Sequence, residues 1–520
     1  MDIIIKNGRI IDGNSNPWFL ADIGIKGKKI IKIGKLSNIT ADRIIDAKGM
    51  IVTPGFIDIH NHSDITLLIN GKAESMIHQG VTTVLTCNCG SSPFPLFGEA
   101  MENAKLQYSS QFNLDIDWTS IDEYKAKLIQ QGTSINIGLQ VGHGTVRAAV
   151  MGYEDRTPTS EEMNEMKHHV IEAMESGCFG ISTGLGYPPG FFAKTDEIIE
   201  LCKIVANYGG IYSTHVRSGF PSNINEAIEI GEKALLPVQM SHIGSMTCGK
   251  YNWGNARSVT LNIINSARAR GVDFTADIYP YIAWSSGLTL FIPQWAHKGG
   301  LSELLKRLND PDIRKILKNE LADNDWSQTI LVWLSSELNK KFEGKTVQEV
   351  SEIKNMHPVD VLCDLIIEEK GQGFHVFFFG LENDIQTLIA HEAVMIGSDG
   401  LALSPIGVLG QGKNHPRSYS AFTRVIEKYV NSEVLSLSKA IHKMSGLPAW
   451  RLGIKNRGVI KPGAYADITI FDPLLVKEKS TWMDPYQFPE GIMYVLVNGI
   501  VTIDEGRHTG ALAGKILNRL

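Results

Sequence analysis

The sequence contains no run of 18 apolar residues, no block of basic residues and only six cysteines among 520 residues. The first absence argues against a membrane-spanning helix, and the amino terminus lacks the charged and apolar segments of a secretion signal. Without a basic block, and with a net charge of −6, there is no reason to expect nucleic acid or an anionic membrane as a partner. So few cysteines do not form a disulfide framework. These absences predict a cytoplasmic protein.

The middle of the chain also lacks the Gly-x-Gly-x-x-Gly sequence that opens a doubly wound open sheet. Short apolar strands instead alternate with stretches of helical spacing, such as 159–176 and 222–233. This alternation is typical of parallel βαβ units, and eight of them predict an α/β fold of the (β/α)8 barrel type. The predicted strands are Phe56–His60, Thr82–Cys87, Ile135–Val141, Phe179–Thr183, Ile211–His215, Val238–His242, Asp273–Asp277 and Val394–Ser398.

Both ends of the chain have a different sequence pattern, in which β-branched runs alternate with Asn-Gly and Asp-Gly turns. Such turns predict hairpins, and two separate hairpin sets would be marginally stable. We therefore predict one small β-sandwich domain from residues 1–53 and 456–520, with the barrel at 54–455. The interval between the last two barrel strands is too long for a simple crossover, which predicts an inserted subdomain at 288–347.

Residues with metal-binding chemistry stand where the predicted strands end. In a barrel these ends share one face, and that face carries the active site. His60 and His62 are two residues apart, a spacing that places both side chains on one side of a strand. Histidine, cysteine and aspartate are the ligand types that favour zinc over magnesium or calcium. The strand-end candidates are His60, His62, Cys89, His143, His215, His242 and Asp399.

Several spaced motifs resemble one known family. The segments are Pro54–His62, Asn88–Gly90, Val141–Arg147, Asp277–Tyr281 and Gly397–Gly400, with supporting stretches almost from end to end. Together they resemble the metal-dependent amidohydrolase superfamily and, within it, the D-aminoacylases, also called N-acyl-D-amino-acid deacylases. The resemblance implies a zinc-dependent hydrolase that splits the linear amide of an N-acyl-D-amino acid into a carboxylate and a free D-amino acid.

The resemblance also implies roles for the strand-end residues. Cys89, His215 and His242 would hold one tightly bound Zn²⁺, with the cysteine in the place of the carboxylated lysine used elsewhere in the superfamily. His60, His62 and Asp399 would line a second, weaker metal position. Asp399 would also act as general base and then general acid. Cys87 falls on the opposite strand face and is predicted to be a core residue.

The substrate implied by the resemblance is a small amide that bears a carboxylate. Arg417 would bind that carboxylate through two contacts, helped by Tyr279 and Ser285. Tyr187 is a candidate for the rim of the pocket. His143 is either a substrate contact or a hydrogen-bonded support, and the sequence leaves these alternatives open.

One position departs from the family pattern. Members commonly have a lysine two residues after the sixth-strand histidine, where it helps to bind the substrate carboxylate, and here that position is Gly244. Either another cation, such as Lys250 or Lys413, supplies the charge, or the substrate differs. This departure bears on the substrate more than on the reaction.

Two other functions are compatible with the same fold. A cyclic-amide hydrolase of the hydantoinase or dihydroorotase kind usually depends on a bridging lysine, and none stands at a strand end with the ligands. A catalytically silent binding protein would be expected to lose ligands, because a buried set without a metal is costly. The sequence does not fix the oligomeric state, the acyl group or the number of metal ions.

Overall fold

A computed structural model describes residues 1–244, 254 and 256–519 of the chain. Several of its strands, such as Ile3–Ile10 and Val81–Thr86, coincide with runs rich in β-branched residues, as β-propensity favours. Numbered in chain order, they are β1 (Ile3–Ile10), β2 (Phe19–Lys26), β3 (Lys29–Gly34), β4 (Arg43–Asp46), β5 (Ile51–Pro54), β6 (Phe56–Asp58), β7 (Val81–Thr86), β8 (Asn136–Leu139), β9 (Val141–Gly142), β10 (Gly180–Gly184), β11 (Ile211–His215), β12 (Val238–Met240), β13 (Phe274–Ile278), β14 (Ala283–Gly287), β15 (Thr329–Trp333), β16 (Phe374–Phe378), β17 (Val394–Ile396), β18 (Ile468–Phe471), β19 (Ile492–Val497), β20 (Ile500–Asp504) and β21 (Arg507–His508).

The helices follow segments whose apolar residues recur every three or four positions, and several begin at a capping Ser or Thr paired with a Glu three residues later. The α-helices of the described residues are α1 (Thr66–Ile69), α2 (Glu74–Ile77), α3 (Gly98–Phe112), α4 (Ile121–Gln131), α5 (His143–Met151), α6 (Ser160–Glu175), α7 (Thr195–Asn207), α8 (Ser222–Ala234), α9 (Leu261–Ala269), α10 (Gly300–Leu308), α11 (Pro311–Glu320), α12 (Val347–Lys354), α13 (Pro358–Glu368), α14 (Glu382–Ala390), α15 (Arg417–Arg424), α16 (Leu437–Met444) and α17 (Gly446–Leu452).

The central barrel consists of parallel strands in two hydrogen-bonded groups. One group has the order β6-β7-β8, and the other has the order β17-β13-β12-β11-β10-β9. A parallel bridge between Asn61 and Gly400 joins the first and last barrel strands. On the other side, the amide of Phe179 donates to the carbonyl of Leu139 at 2.8 Å. With β8 and β9 counted as one interrupted strand, the predicted eight-stranded barrel is confirmed.

Strands from both chain ends share a second sheet. It has nine strands, β1–β5 and β18–β21, and β5 from the amino-terminal part pairs with β18 from the carboxyl-terminal part. An isoleucine-rich core covers it, with Ile5, Ile23 and Ile470 almost fully buried. Because β5 leads into β6 through the single residue Gly55, this sheet is tied directly to the first barrel strand.

A third unit lies between the last two barrel strands. The antiparallel sheet β14-β16-β15 spans Ala283 to Phe378. Helices α10–α13 pack there around a separate apolar core that runs from Leu288 to Ile366. The predicted insertion at 288–347 lies inside this longer range, and the domain boundaries stay a prediction. No helix on the described part of the chain is long and apolar enough to cross a membrane.

Candidate metal centre

Four of the predicted ligands come together at the carboxyl ends of the barrel strands. One ligand atom from each of His60, Cys89, His242 and Asp399 lies within 4.8 Å of the others. The Sγ atom of Cys89 is 3.4 Å from Nε2 of His60 and 3.6 Å from Nε2 of His242. His60 Nε2 is in turn 3.4 Å from Oδ1 of Asp399. Such spacing lets all four atoms contact one ion placed between them.

The other two predicted ligands adjoin this group. Nε2 of His62 lies 3.0 Å from Oδ1 of Asp399. The ring of His215 is 4.5 Å from that of His242. The four predicted histidine ligands therefore lie around the pair formed by Cys89 and Asp399. The division into a tight and a weak metal position stays a prediction, since His60 belongs geometrically with Cys89 and His242.

The two acidic ligands are held in their charged forms. Burial raises the pKa of the Cys89 thiol, but the charge of His60 and the hydrogen-bonding contacts with His60 and His242 hold this pKa well below its usual value. Burial also raises the pKa of Asp399, and the charges of Arg417 and His60 outweigh that effect and hold it well below its usual value. A buried thiolate and carboxylate among imidazoles need a cation to offset their desolvation.

The backbone at the ligands is unusual. Cys89, His242 and Asp399 have φ angles of 52°, 34° and 51°, in the left-handed region that few non-glycine residues adopt. Each such residue costs about 1–3 kcal/mol and persists where the surrounding structure imposes it. Gly184 at the end of β10 permits one of these turns, because a Cβ there would lie 2.1 Å from the carbonyl oxygen of Cys89.

Asp277, near the end of β13, received no role from the sequence. Its Oδ1 lies 2.9 Å from Nδ1 of His60 and accepts the backbone amide of His242 at 2.8 Å, while Oδ2 accepts Nε2 of Gln239 at 2.9 Å. A hydrogen bond at Nδ1 leaves Nε2 of His60 free for a metal and fixes the ring. A carboxylate at the end of the predicted strand Asp273–Asp277 was the sequence signal for this role.

Asp277→Ala is expected to weaken zinc binding by about 10–100-fold, the usual effect of losing a carboxylate behind a histidine ligand. Competition with a chelator, followed by metal analysis, measures this change. Asp273→Asn is the matched control, since Asp273 precedes the same strand but pairs with Arg451 at 2.6 Å. Unchanged zinc affinity in Asp277→Ala would remove Asp277 from this role.

The predicted substrate residues border the metal centre. Nη1 of Arg417 is 2.6 Å from Oδ2 of Asp399, and its guanidinium lies 4.9 Å from the ring centre of Tyr279. Ser285 donates to the carbonyl of His375 at 2.9 Å, and its oxygen still has room to accept. The ring of Tyr187 packs 4.5 Å from that of His215.

Two cavities meet at Asp399. The larger has a volume of about 710 Å³ and is also lined by Cys89 and Arg417. The smaller, of about 370 Å³, is lined by His215, His242 and several aromatic side chains. Tyr187 and Ser285 border both. These volumes are typical of small-molecule sites.

His143 does not line either cavity. It is fully buried, and its Nε2 lies 2.9 Å from Oε1 of Glu197, which also accepts Nε of the buried Arg147 at 3.2 Å. The structure therefore favours the supporting role among the two alternatives for His143.

Glu197→Ala is expected to lower the free energy of unfolding by about 3–5 kcal/mol, because it leaves the buried charge of Arg147 without its partner. Glu200→Ala on the same helix, α7, is the matched control. Glu200 pairs at the surface with Lys167 and Lys203, so its loss should cost less than about 1 kcal/mol. Denaturant unfolding measures both values, and equal losses would contradict the assignment.

The structure gives a reason for the departure at Gly244. A Cβ at this position would lie 3.1 Å from Cδ1 of Ile385 and 3.2 Å from Cδ1 of Ile278. The first atom of any side chain would therefore press against these two isoleucines. Of the two substitute cations, Lys250 falls outside the described residues. Lys413 donates to the carbonyl of Met483 at 3.1 Å and does not line either cavity.

A barrel with a cysteine, histidines and an aspartate converging at its strand ends defines a metal-dependent barrel enzyme, and this donor set fits zinc. Residues 43–203 and 360–503 match the model of the Amidohydrolase family. The chain belongs to this family, and the resemblance found in the sequence is confirmed.

Individual relatives match the whole chain. A D-aminoacylase of Alcaligenes xylosoxydans xylosoxydans is 35% identical over 100% of this chain and 98% of its own. An N-acyl-D-glutamate deacylase of the same organism is 32% identical over 100% and 97%. The crystal structure of the N-acyl-D-glutamate deacylase from Bordetella bronchiseptica, complexed with zinc and a phosphonate inhibitor that mimics the tetrahedral intermediate, is 29% identical. It superposes with a TM-score of 0.83 over 100% of this chain and 99% of that one.

Proposed function

We propose that this chain is a zinc-dependent hydrolase of the linear amide bond of N-acyl-D-amino acids, which releases a carboxylate and a free D-amino acid. One observation carries the proposal: the ligand atoms of His60, Cys89, His242 and Asp399 lie within 4.8 Å of one another at the strand ends, with Arg417 beside them. Relatives that match the full length of the chain and are named for this activity support it.

Each residue at the metal centre has a separate role in the proposed reaction. Bound zinc would supply a Lewis acid for the amide carbonyl and lower the pKa of a water molecule. Asp399, ionised because of its low pKa, accepts the proton of the attacking water and delivers it to the leaving nitrogen. Arg417 binds the α-carboxylate of the substrate, and the ring of Tyr279 beneath its guanidinium keeps that group in place.

The assignment of the metal ligands is part of the proposal. Cys89, His215 and His242 form the tight zinc site, while His60, His62 and Asp399 form the weaker one. The contact between the rings of His215 and His242 at 4.5 Å and the contact between His62 and Asp399 at 3.0 Å support this division. A cytoplasmic location and the domain boundaries stay predictions.

A substrate panel with metal analysis tests the proposal. The purified protein is expected to contain zinc and to hydrolyse N-acetyl-D-amino acids, with little turnover of their L-enantiomers. D-Leucine, D-glutamate and D-aspartate derivatives cover apolar and acidic side chains. Turnover confined to hydantoin or dihydroorotate would replace this function with cyclic-amide hydrolysis, and a protein that takes up no metal would be a silent relative.

A further inference from the structure

We propose that the acyl part of the substrate is a short peptide, so that the enzyme removes a carboxyl-terminal D-amino acid from peptides. This inference rests on the proposed function and extends it to the larger cavity. The chemistry is the same: water splits the amide, its hydroxyl joining the carbonyl carbon and its proton joining the leaving nitrogen. What differs is the size and polarity of the acyl group.

The larger cavity extends well beyond the reacting groups. Arg417 and Asp399 lie at the metal centre, and the same cavity continues along one face of α3. An amino acid whose carboxylate is held by Arg417 stays close to the metal, and the aromatic-lined cavity of about 370 Å³ offers room for its side chain. The remaining space along α3 is therefore available to the part of the substrate beyond the amide carbonyl.

The face of α3 that lines this cavity presents two rows of side chains, each with a spacing of four residues. Ala100, Ala104 and Tyr108 form one row, whose two alanines leave open space. Asn103, Gln107 and Gln111 form the other row and offer amide groups. Residues four apart lie on the same face of a helix, so the three amides follow one line along the cavity wall.

These amides match the backbone of a peptide. Gln111 donates at 3.2 Å to Oε1 of Gln372, which also lines the cavity, while the side chains of Asn103 and Gln107 form no hydrogen bond with any described residue. An amide side chain both donates and accepts, as a peptide group requires. From residue 103 to residue 111 the helix rises about 12 Å, the length of roughly three to four extended residues.

The composition of the walls favours a peptide over a fatty acyl chain. An alkyl chain would leave the amides of Asn103 and Gln107 without partners once water is displaced, and an unsatisfied buried polar group is costly. Apolar side chains such as Phe291, Leu301 and Leu304 also line this cavity, where they can pack against peptide side chains.

Three substrates that share the D-amino acid preferred in the panel test the inference: its N-acetyl, N-decanoyl and N-acetyl-glycylglycyl derivatives. The wild-type kcat/KM for the peptide is expected to exceed that for the acetyl substrate by at least about tenfold, the effect of one or two added hydrogen bonds. Faster turnover of the decanoyl substrate, or of the acetyl substrate, than of the peptide overturns the inference while leaving the proposed function intact. Failure to cleave any of the three overturns both.

Two variants locate the binding surface. Ala104→Trp fills the cavity and is expected to lower the ratio of kcat/KM for the peptide to that for the acetyl substrate at least tenfold. Gln107→Leu keeps the size but removes the amide, and should lower this ratio about five- to tenfold. Lys105→Trp, on the exposed side of the same helix, is the matched control and should not change the ratio. A ratio unaffected by Gln107→Leu, or lowered equally by Lys105→Trp, contradicts the proposal.

Discussion

Asp399→Asn is expected to lower kcat for an N-acyl-D-amino acid by about 10²–10⁴-fold, the usual contribution of general acid–base catalysis. Asparagine has nearly the shape of aspartate and still reaches Arg417, but its amide neither accepts the proton of water nor delivers one to the leaving nitrogen. Folding and zinc content should be retained, because Cys89, His215 and His242 remain. Steady-state kinetics and metal analysis of the same preparation measure these effects.

A second buried aspartate in the same cavity provides the control. Asp64 lines the cavity, but its carboxylate accepts Oγ1 of Thr86 and the backbone amide of Cys87. Burial raises the pKa of Asp64 to about 6, in contrast to Asp399. Asp64→Asn should therefore reduce kcat by less than about tenfold. If Asp399→Asn keeps most of its kcat, or if Asp64→Asn loses as much, Asp399 is not the proton carrier.

The barrel could be predicted because its strands are local features of the sequence. Each is a short apolar run, because a barrel strand faces the packed barrel interior on one side and the helices on the other, and so needs apolar residues on both faces. The predicted strand at Ile211–His215 agrees with the structure residue for residue. The insertion was harder to delimit, since its strands β14 and β16 pair across almost ninety residues of chain, and such long-range pairing leaves no local pattern.

The strand ends were predicted less well at the functional residues. The sixth strand was expected to run to His242, but it ends at Met240. His242 has a φ angle of 34° and its amide donates to Asp277. Propensities describe ordinary backbone conformations, whereas this one is imposed by tertiary hydrogen bonds. Functional sites are the places where local rules are expected to fail.

The candidate ligands could be named from the sequence, but their partners could not. His60 lies near Asp399 because the bridge between Asn61 and Gly400 closes the barrel, and this closure cannot be read from any single segment of the sequence. Asp277 was missed for a related reason. Its role depends on a contact with His60, which is 217 residues away in the chain.

Cys89→Ala is expected to abolish stoichiometric zinc binding and, with it, activity. The thiolate of Cys89 lies beside both His60 and His242, so its removal takes away the anionic ligand that the imidazoles share. The loss of zinc affinity should exceed the roughly 10–100-fold effect of changes outside the ligand shell. Metal analysis after dialysis against a chelator, together with kcat/KM at saturating zinc, measures the effect.

Cys87→Ala is a closely matched control. Cys87 is two residues away, has a similar positive φ angle of 64° and is fully buried, so alanine at either position meets the same backbone strain. Burial raises the pKa of the Cys87 thiol well above its usual value, which makes it a poor metal ligand. Its variant should keep one tight zinc ion and most of its activity. Direct coordination of the metal by the Cys89 thiolate is the one difference that should distinguish the two variants. If Cys89→Ala retains its zinc, or if Cys87→Ala loses it, the metal is not held by Cys89.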